Sequence, residues 1–348
     1  MSLPTERERP LNAESGSGEL TYREAVRAAL HDEMSSDDRV VLLGEDVGAA
    51  GGPFKTEEGL IDRFGPARVI ETPICENGFM SVALGMSVTG FRPVVEISFS
   101  DFLPTAADSL VNEAAKFRFM SGGQLAVPLT VRVIGGATVR FGAQHSATGE
   151  SWFMHVAGLR IATAASPGAA YGLLRTAIRD NNPVLVFEHK ALYGRKGPVD
   201  RDAALPAIGS ARIVRRGRDV TIVATLLMVE RSMRAAEQLS LEGIDAEVID
   251  LTWISPLDVA TVETSVRKTG RLVVAEEQPH AGGWGATLIS ELTMRGVPWG
   301  SAPIAVSLPP HTPIPYSPQL EDLVVPSADR ILSEARLLVT SPGRATTR

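Results

Sequence analysis

A chain of 348 residues, 44% hydrophobic and 22% charged, has the make-up of an ordinary globular protein and is too long for one hydrophobic core, so two domains are expected. A formal charge of -7 with no basic tract argues against a nucleic-acid partner, and no apolar run reaches the roughly 18 residues a membrane span needs. The single cysteine, Cys75, excludes an intrachain disulfide and fits a reducing cytoplasm.

Residues 1–18 carry Glu6, Glu8 and Glu14 and no apolar core, which reads as a mobile polar tail rather than a signal or transit peptide. Thr21 and Glu24 then form a capping-box pattern ahead of a helix over 22–34. Val40–Leu43 reads as a buried strand, 56–65 as a short helix, 68–72 as a strand, 78–90 as a small-residue helix and 93–98 as a strand. A long helix is expected from Ala106 to Met120, ended by Gly122 and Gly123. A strand at 128–133, a helix opened by Ser166 and Pro167 and a strand at 183–188 complete the first half.

The run 194–209 is rich in Gly, Pro and charge, and residues 198–209 within it are taken as a linker. Beyond it, strands at 219–225, 245–251 and 271–277 alternate with helices through 231–240 and 258–268. Wholly apolar strands separated by helices imply parallel sheets covered on both faces. The expectation is therefore two α/β domains, 19–197 and 210–342, with function in loops beyond the strands' carboxyl ends.

No phosphate-binding glycine loop, paired-cysteine motif or Gly-x-Ser-x-Gly elbow occurs. Three segments remain. In ETPICENGFM, 71–80, Glu76 follows a strand and starts a helix; it is either a proton-transfer carboxyl raised by partial burial or a glutamate favoured by the helix dipole. In GAQHSATGESWFMH, 142–155, His145 is either a proton shuttle or a loop histidine satisfied by its own backbone, while His155 reads as structural. In TAIRDNNPV, 176–184, a helix end leaves carbonyls that, with Asp180 and Asn182, suit either a cation or a plain stop before proline.

Taken in order, GEDVG at 44–48, ETPICENGF at 71–79, GFRPVVEISFSDF at 90–102, NEAAKFRFMSGG at 112–123, AQHSATGESWF at 143–153, AIRDNNPV at 177–184, EHKALYG at 188–194 and PIPYSP at 313–318 carry a resemblance. The chain resembles, from about Leu20 to Ile331, the β subunit of the decarboxylating component of thiamine diphosphate-dependent 2-oxo acid dehydrogenases. That family spans pyruvate, branched-chain and acetoin types within the transketolase-like superfamily. The resemblance implies a pyrimidine-binding domain followed by a transketolase C-terminal-like domain.

It also implies roles. Glu76 matches the glutamate that hydrogen-bonds the aminopyrimidine of thiamine diphosphate, with Ile74, Ser98 and Phe102 lining the same pocket. His145 matches the family's active-site histidine, which acts on the acyl intermediate or the lipoyl group. Leu129, Ala177, Ile178, Asp180 and Asn182 match a potassium site. The chain has no Gly-Asp-Gly, so the diphosphate and Mg2+ are expected on an α subunit, in an α2β2 heterotetramer that feeds a lipoyl-bearing acyltransferase.

The implied activity is oxidation of a 2-oxo acid or acetoin with lipoamide as disulfide acceptor. The open alternatives are a two-chain decarboxylase or carboligase of transketolase type and a non-catalytic scaffold. Ala147 replaces the family's glutamine after His-Ser, and Glu71 replaces aspartate. EHKALYGRKG leans toward acetoin-type members, and Phe102 in place of tyrosine leans away from the branched-chain class.

Overall fold

The computed structural model of the chain describes residues 17–309 and 312–340. Most of the expected polar tail, residues 1–16, lies outside them, as do 341 and 342 of the expected second domain. Ser17 and Gly18, placed in that tail, instead open a strand, Ser17–Thr21. It pairs antiparallel with Lys196–Asp200, so part of the presumed linker is also strand. Gly197 and Val199, buried between exposed Lys196, Pro198 and Asp200, are the reason: a period of two with one buried face is strand, whatever the surrounding composition.

The capping box forms as read. Glu24 Oε2 accepts from the Thr21 amide at 2.7 Å and the Thr21 hydroxyl from the Glu24 amide at 3.3 Å, opening the helix Tyr22–Ser36. Its buried face, including Ala25, Val26, Ala29 and Leu30, packs on the helix Pro167–Arg179. Across that contact Arg175 and Arg179 both donate to Glu33, at 2.7 and 2.9 Å.

Among the described residues a seven-stranded sheet runs in the order Trp253–Ser255, Arg160–Thr163, Val184–His189, Thr130–Gly135, Arg92–Ile97, Val40–Gly44, Val69–Glu71. All its pairings are parallel except the first. Ile304–Leu308, Leu272–Pro279, Val220–Ala224 and Ala246–Asp250 form a second, parallel sheet, closed by antiparallel Arg212–Arg215. The edge strand Trp253–Ser255 belongs in sequence to the second half but completes the first sheet, with Trp253 fully buried.

The helix expected over Ala106–Met120 is not one helix. A 3-10 stretch, Ser100–Ala106, is followed by a π-helical turn, Asp108–Ala114, and a short α-helix, Ala115–Met120. Pro104 removes an amide from the first stretch. Ser109 is drawn to the helix Glu76–Val88 by hydrogen bonds to Asn77 Oδ1 at 2.8 Å and to Ser81 Oγ at 2.6 Å, which accounts for the wider turn.

Three charges interrupt the apolar central strands and meet beneath their carboxyl ends. Arg132, wholly buried, donates to both oxygens of Glu188 at 2.7 and 3.0 Å, to Glu96 at 2.7 Å, and to Glu57. Burial and then the neighbouring Glu57 charge push the Glu96 carboxyl well above its ordinary value, which favours the protonated acid at Glu96. Glu96→Gln should therefore be tolerated within about 1 kcal/mol, whereas Arg132→Met, which strands buried acids, should lose about 3–5 kcal/mol in denaturant unfolding. Equal losses from the two variants would refute the assignment of the proton.

Candidate active site

The chain leaves Val40–Gly44 toward Val69–Glu71 on one side and resumes at Arg92–Ile97 on the other. That reversal opens a crevice at the strands' carboxyl ends, where α/β sheets place their ligands. Glu45, the Ile74–Glu76 segment, Ser98, Phe102 and the loop 136–149 carrying His145 all follow strands of this one row.

Glu76 is the first residue of its helix and half-buried, with Cys75 at the cap position. Beside it Ile74 is 81% exposed, an apolar side chain with nothing over it. Burial, and secondly the charge of Glu76, push the Glu45 carboxyl up, which places the two acids in one electrostatic neighbourhood. Ser98 is buried and its hydroxyl has no partner among the described residues.

His145 stands in an aromatic corner. Phe99 meets its ring edge-on at 4.5 Å between centroids and Phe102 at 5.3 Å, with Phe141 at 6.1 Å from Phe99. The structure thus brings His145 and Phe102 together directly, and puts Glu76 and Ile74 after the edge strand Val69–Glu71 of the same row, beyond Val40–Gly44.

The His145 loop is held from several sides. Asp101 accepts from the Ala147 amide at 3.2 Å and Ser100 from the Gly149 amide at 2.9 Å. From the second half, Glu277 accepts from the Ala137 amide at 2.6 Å and Glu321 from the Thr138 amide at 2.8 Å. Burial alone would raise the Glu277 carboxyl, but the His189 ring 3.1 Å away and the Ala137 amide hold it below its ordinary value. Gly136 has φ +94, and a Cβ there would fall 2.2 Å from His189 Nε2, so only glycine lets the loop start this close to that ring. Thr138 and Arg140, at φ 74 and 65, carry left-handed backbone that the bonds to Glu321 enforce.

Sequence reading overlooked Glu277, Glu321 and Lys190 as parts of this site. Lys190 had a visible signal, its place inside the EHKALYG motif. Glu277 and Glu321 act across more than a hundred residues and left none.

The five residues matched to a potassium site gather at the opposite end of the sheet, where Thr130–Gly135 and Val184–His189 begin. Their oxygens already have partners. Arg92 donates to the carbonyls of Ile178 at 2.8 Å and Asp180 at 2.5 Å; Arg160 donates to the Asp180 carboxylate, and Arg118 to Asn182 Oδ1 at 2.8 Å. The carbonyl of Leu129 takes the Val184 amide at 2.9 Å and that of Ala177 the Asp180 amide at 3.1 Å. Three guanidiniums supply the positive charge that this helix end attracts, and we read these oxygens as arginine-capped; each carbonyl keeps a second lone pair, so exchange of the ion tests the potassium assignment. Replacing potassium by sodium should move the thermal midpoint by less than about 1 °C, because an ion that does not bind the native state cannot stabilise it. A shift of several degrees would restore the ion to this site.

Residues 18–196 match the family model described as "Transketolase, pyrimidine binding domain" and residues 209–331 that described as "Transketolase, C-terminal domain". The "Pyruvate dehydrogenase E1 component subunit beta-2, mitochondrial" of Oryza sativa subsp. japonica is 44% identical over 323 residues, 91% of this chain and 86% of the relative. The "Acetoin:2,6-dichlorophenolindophenol oxidoreductase subunit beta" of Cupriavidus necator is 41% identical over 327 residues, 91% of this chain and 96% of the relative. The "Pyruvate dehydrogenase E1 component subunit beta" of Rickettsia conorii is 40% identical over 318 residues, 91% and 98%.

A solved split-gene transketolase, an inactive beta4 tetramer, shares the fold with TM-score 0.77 at 22% identity, covering 93% of this chain and 100% of its own. With both domain models matched and relatives at 40% identity or above over nine-tenths of its length, the chain belongs to the transketolase-like family of pyruvate dehydrogenase E1 and acetoin oxidoreductase β subunits.

Proposed function

We propose that this chain is the β subunit of a thiamine diphosphate-dependent 2-oxo acid or acetoin dehydrogenase, working with an α subunit in an α2β2 assembly. The observation that carries this reading is half a pocket: a helix-opening Glu76 at the reversal point of the sheet, beside an exposed Ile74 and near strand ends that carry the unpartnered Ser98 hydroxyl. These groups fit one side of an aminopyrimidine ring, with a carboxyl for its ring nitrogen and a hydroxyl seeking a partner. The rest of the cofactor needs groups this chain lacks, since no Gly-Asp-Gly occurs to hold a diphosphate and Mg2+. Exposed apolar side chains, Ile74 and, at 90%, Phe119, suit a covering partner.

When bound, thiamine diphosphate supplies the carbanion-stabilising chemistry of the reaction. Glu76 holds the proton at the aminopyrimidine nitrogen and takes it back. His145 presents a ring nitrogen to the acyl oxygen or to the incoming lipoyl group, while Phe99 and Phe102, packed edge-on, shield its ring. Lipoamide on a separate acyltransferase core would be the acceptor in this reading. We assign the work to the cytoplasm; among the described residues no helix is long and apolar enough to cross a membrane, and the rice relative is named mitochondrial.

Copurification with the α chain, followed by assay on pyruvate and on acetoin with 2,6-dichlorophenolindophenol as acceptor, tests the reading. Glu76→Gln should keep the assembly and lower kcat at least about 100-fold. Full activity of that variant with α bound refutes the assignment. A decarboxylase or carboligase would turn over without reducing lipoamide, and a scaffold would bind no thiamine diphosphate.

A further inference from the structure

Three consecutive side chains at the end of the strand Val184–His189 reach three different parts of the molecule. Glu188 takes both ends of the Arg132 guanidinium at the sheet centre, and His189 meets Glu277 of the second sheet at 3.1 Å. Lys190 turns into the crevice, where its Nζ donates to the backbone carbonyl of His145 at 2.6 Å. The side chain is buried, and its ammonium lies over the rings of Phe99, at 5.5 Å, and Phe141, at 5.8 Å.

We propose that Lys190 is a positioning residue for His145, holding the backbone of that residue while Phe99 and Phe102 hold its ring, so that the imidazole faces the crevice in one orientation. The inference rests on the role given to His145 above. Packing alone does not call for an amine here: a buried ammonium is costly, and Met or Leu would fill the same space without that cost. The charged groups facing Lys190 are Asp101 from the 3-10 stretch, Glu277 from the second sheet and Glu321 from the helix Pro318–Val324, besides the His145 loop itself.

These carboxylates favour the ammonium, yet burial outweighs them and brings the amine down to about 8. The sign follows. Between about pH 8 and the unfolded amine's value the unfolded chain binds more protons than the folded one, so stability rises with pH across that window. The hold on His145 weakens over the same window as the amine loses its charge. Stability and activity thus move in opposite directions.

Lys190→Met, Lys190→Arg and His145→Ala are made in the complex with the α chain. Lys190→Met should keep a thermal midpoint at or above the parent's, lower kcat about 10-fold or more while KM stays within about 3-fold, and speed amide exchange in residues 142–149 about 10-fold. The parent's kcat should decline as pH rises past about 8, and Lys190→Arg should push that decline to higher pH.

Parental kcat and parental loop exchange in Lys190→Met overturn the proposal. If that variant fails to assemble, an unmoved alkaline decline in Lys190→Arg overturns it instead. His145→Ala separates the two readings. Full activity there removes the role of His145, and with it the positioning role argued for Lys190; a slow His145→Ala beside an unimpaired Lys190→Met removes the Lys190 proposal alone.

Discussion

The guanidinium of Arg132 is the constraint on which the rest is built. It lies in the middle strand of the large sheet with Glu96 and Glu188 on the strands either side, and with Glu57 brought in from the segment that follows Glu45. Two of these acids sit a few residues from part of the crevice: Glu96 before Ser98 and Phe102, Glu188 before His189 and Lys190. A buried ionic knot adds little net stability once desolvation is counted. What it does provide is a tie between three adjacent strands, since one cation is shared by acids on both neighbours.

Above that floor the site is a cooperative structure of two domains. The His145 loop starts on a strand of the first sheet, but its amides and left-handed residues are held by Glu277 and Glu321 of the second half. Backbone of this kind persists only where its surroundings over-determine it. The helix carrying Glu76 is packed on one face through Phe79, Met80, Ala83 and Leu84, is tied at its edge to Ser109 through its own Asn77 and Ser81, and leaves Val82 exposed. The loop side of the site is thus fixed by both halves of the chain, while on the Glu76 side Ile74 is exposed.

Much of this was legible from residues alone. The capping box at Thr21, the apolar strands and the helix that begins at Glu76 follow from local pattern, which is short-range physics. The broken helix over 100–120 was not, because its π turn answers to Ser81 and Asn77 on another element. Arg92 could not be read as the partner of the Ile178 and Asp180 carbonyls from a distance of nearly ninety positions. One signal was available and unused: Glu96, Arg132 and Glu188 are charges set among apolar residues in the interior of their strands, and buried charges require one another.

The strand Trp253–Ser255 crosses from the smaller sheet's territory to finish the larger one. Severing the chain within 198–209 would thus bare the backbone of Arg160–Thr163 along its outer side and leave an indole without a home. A fragment ending there would carry a sticky, unguarded border and assemble with its own copies. What looks like two beads on a string is, in this respect, one object that has to be finished before either half is safe in water.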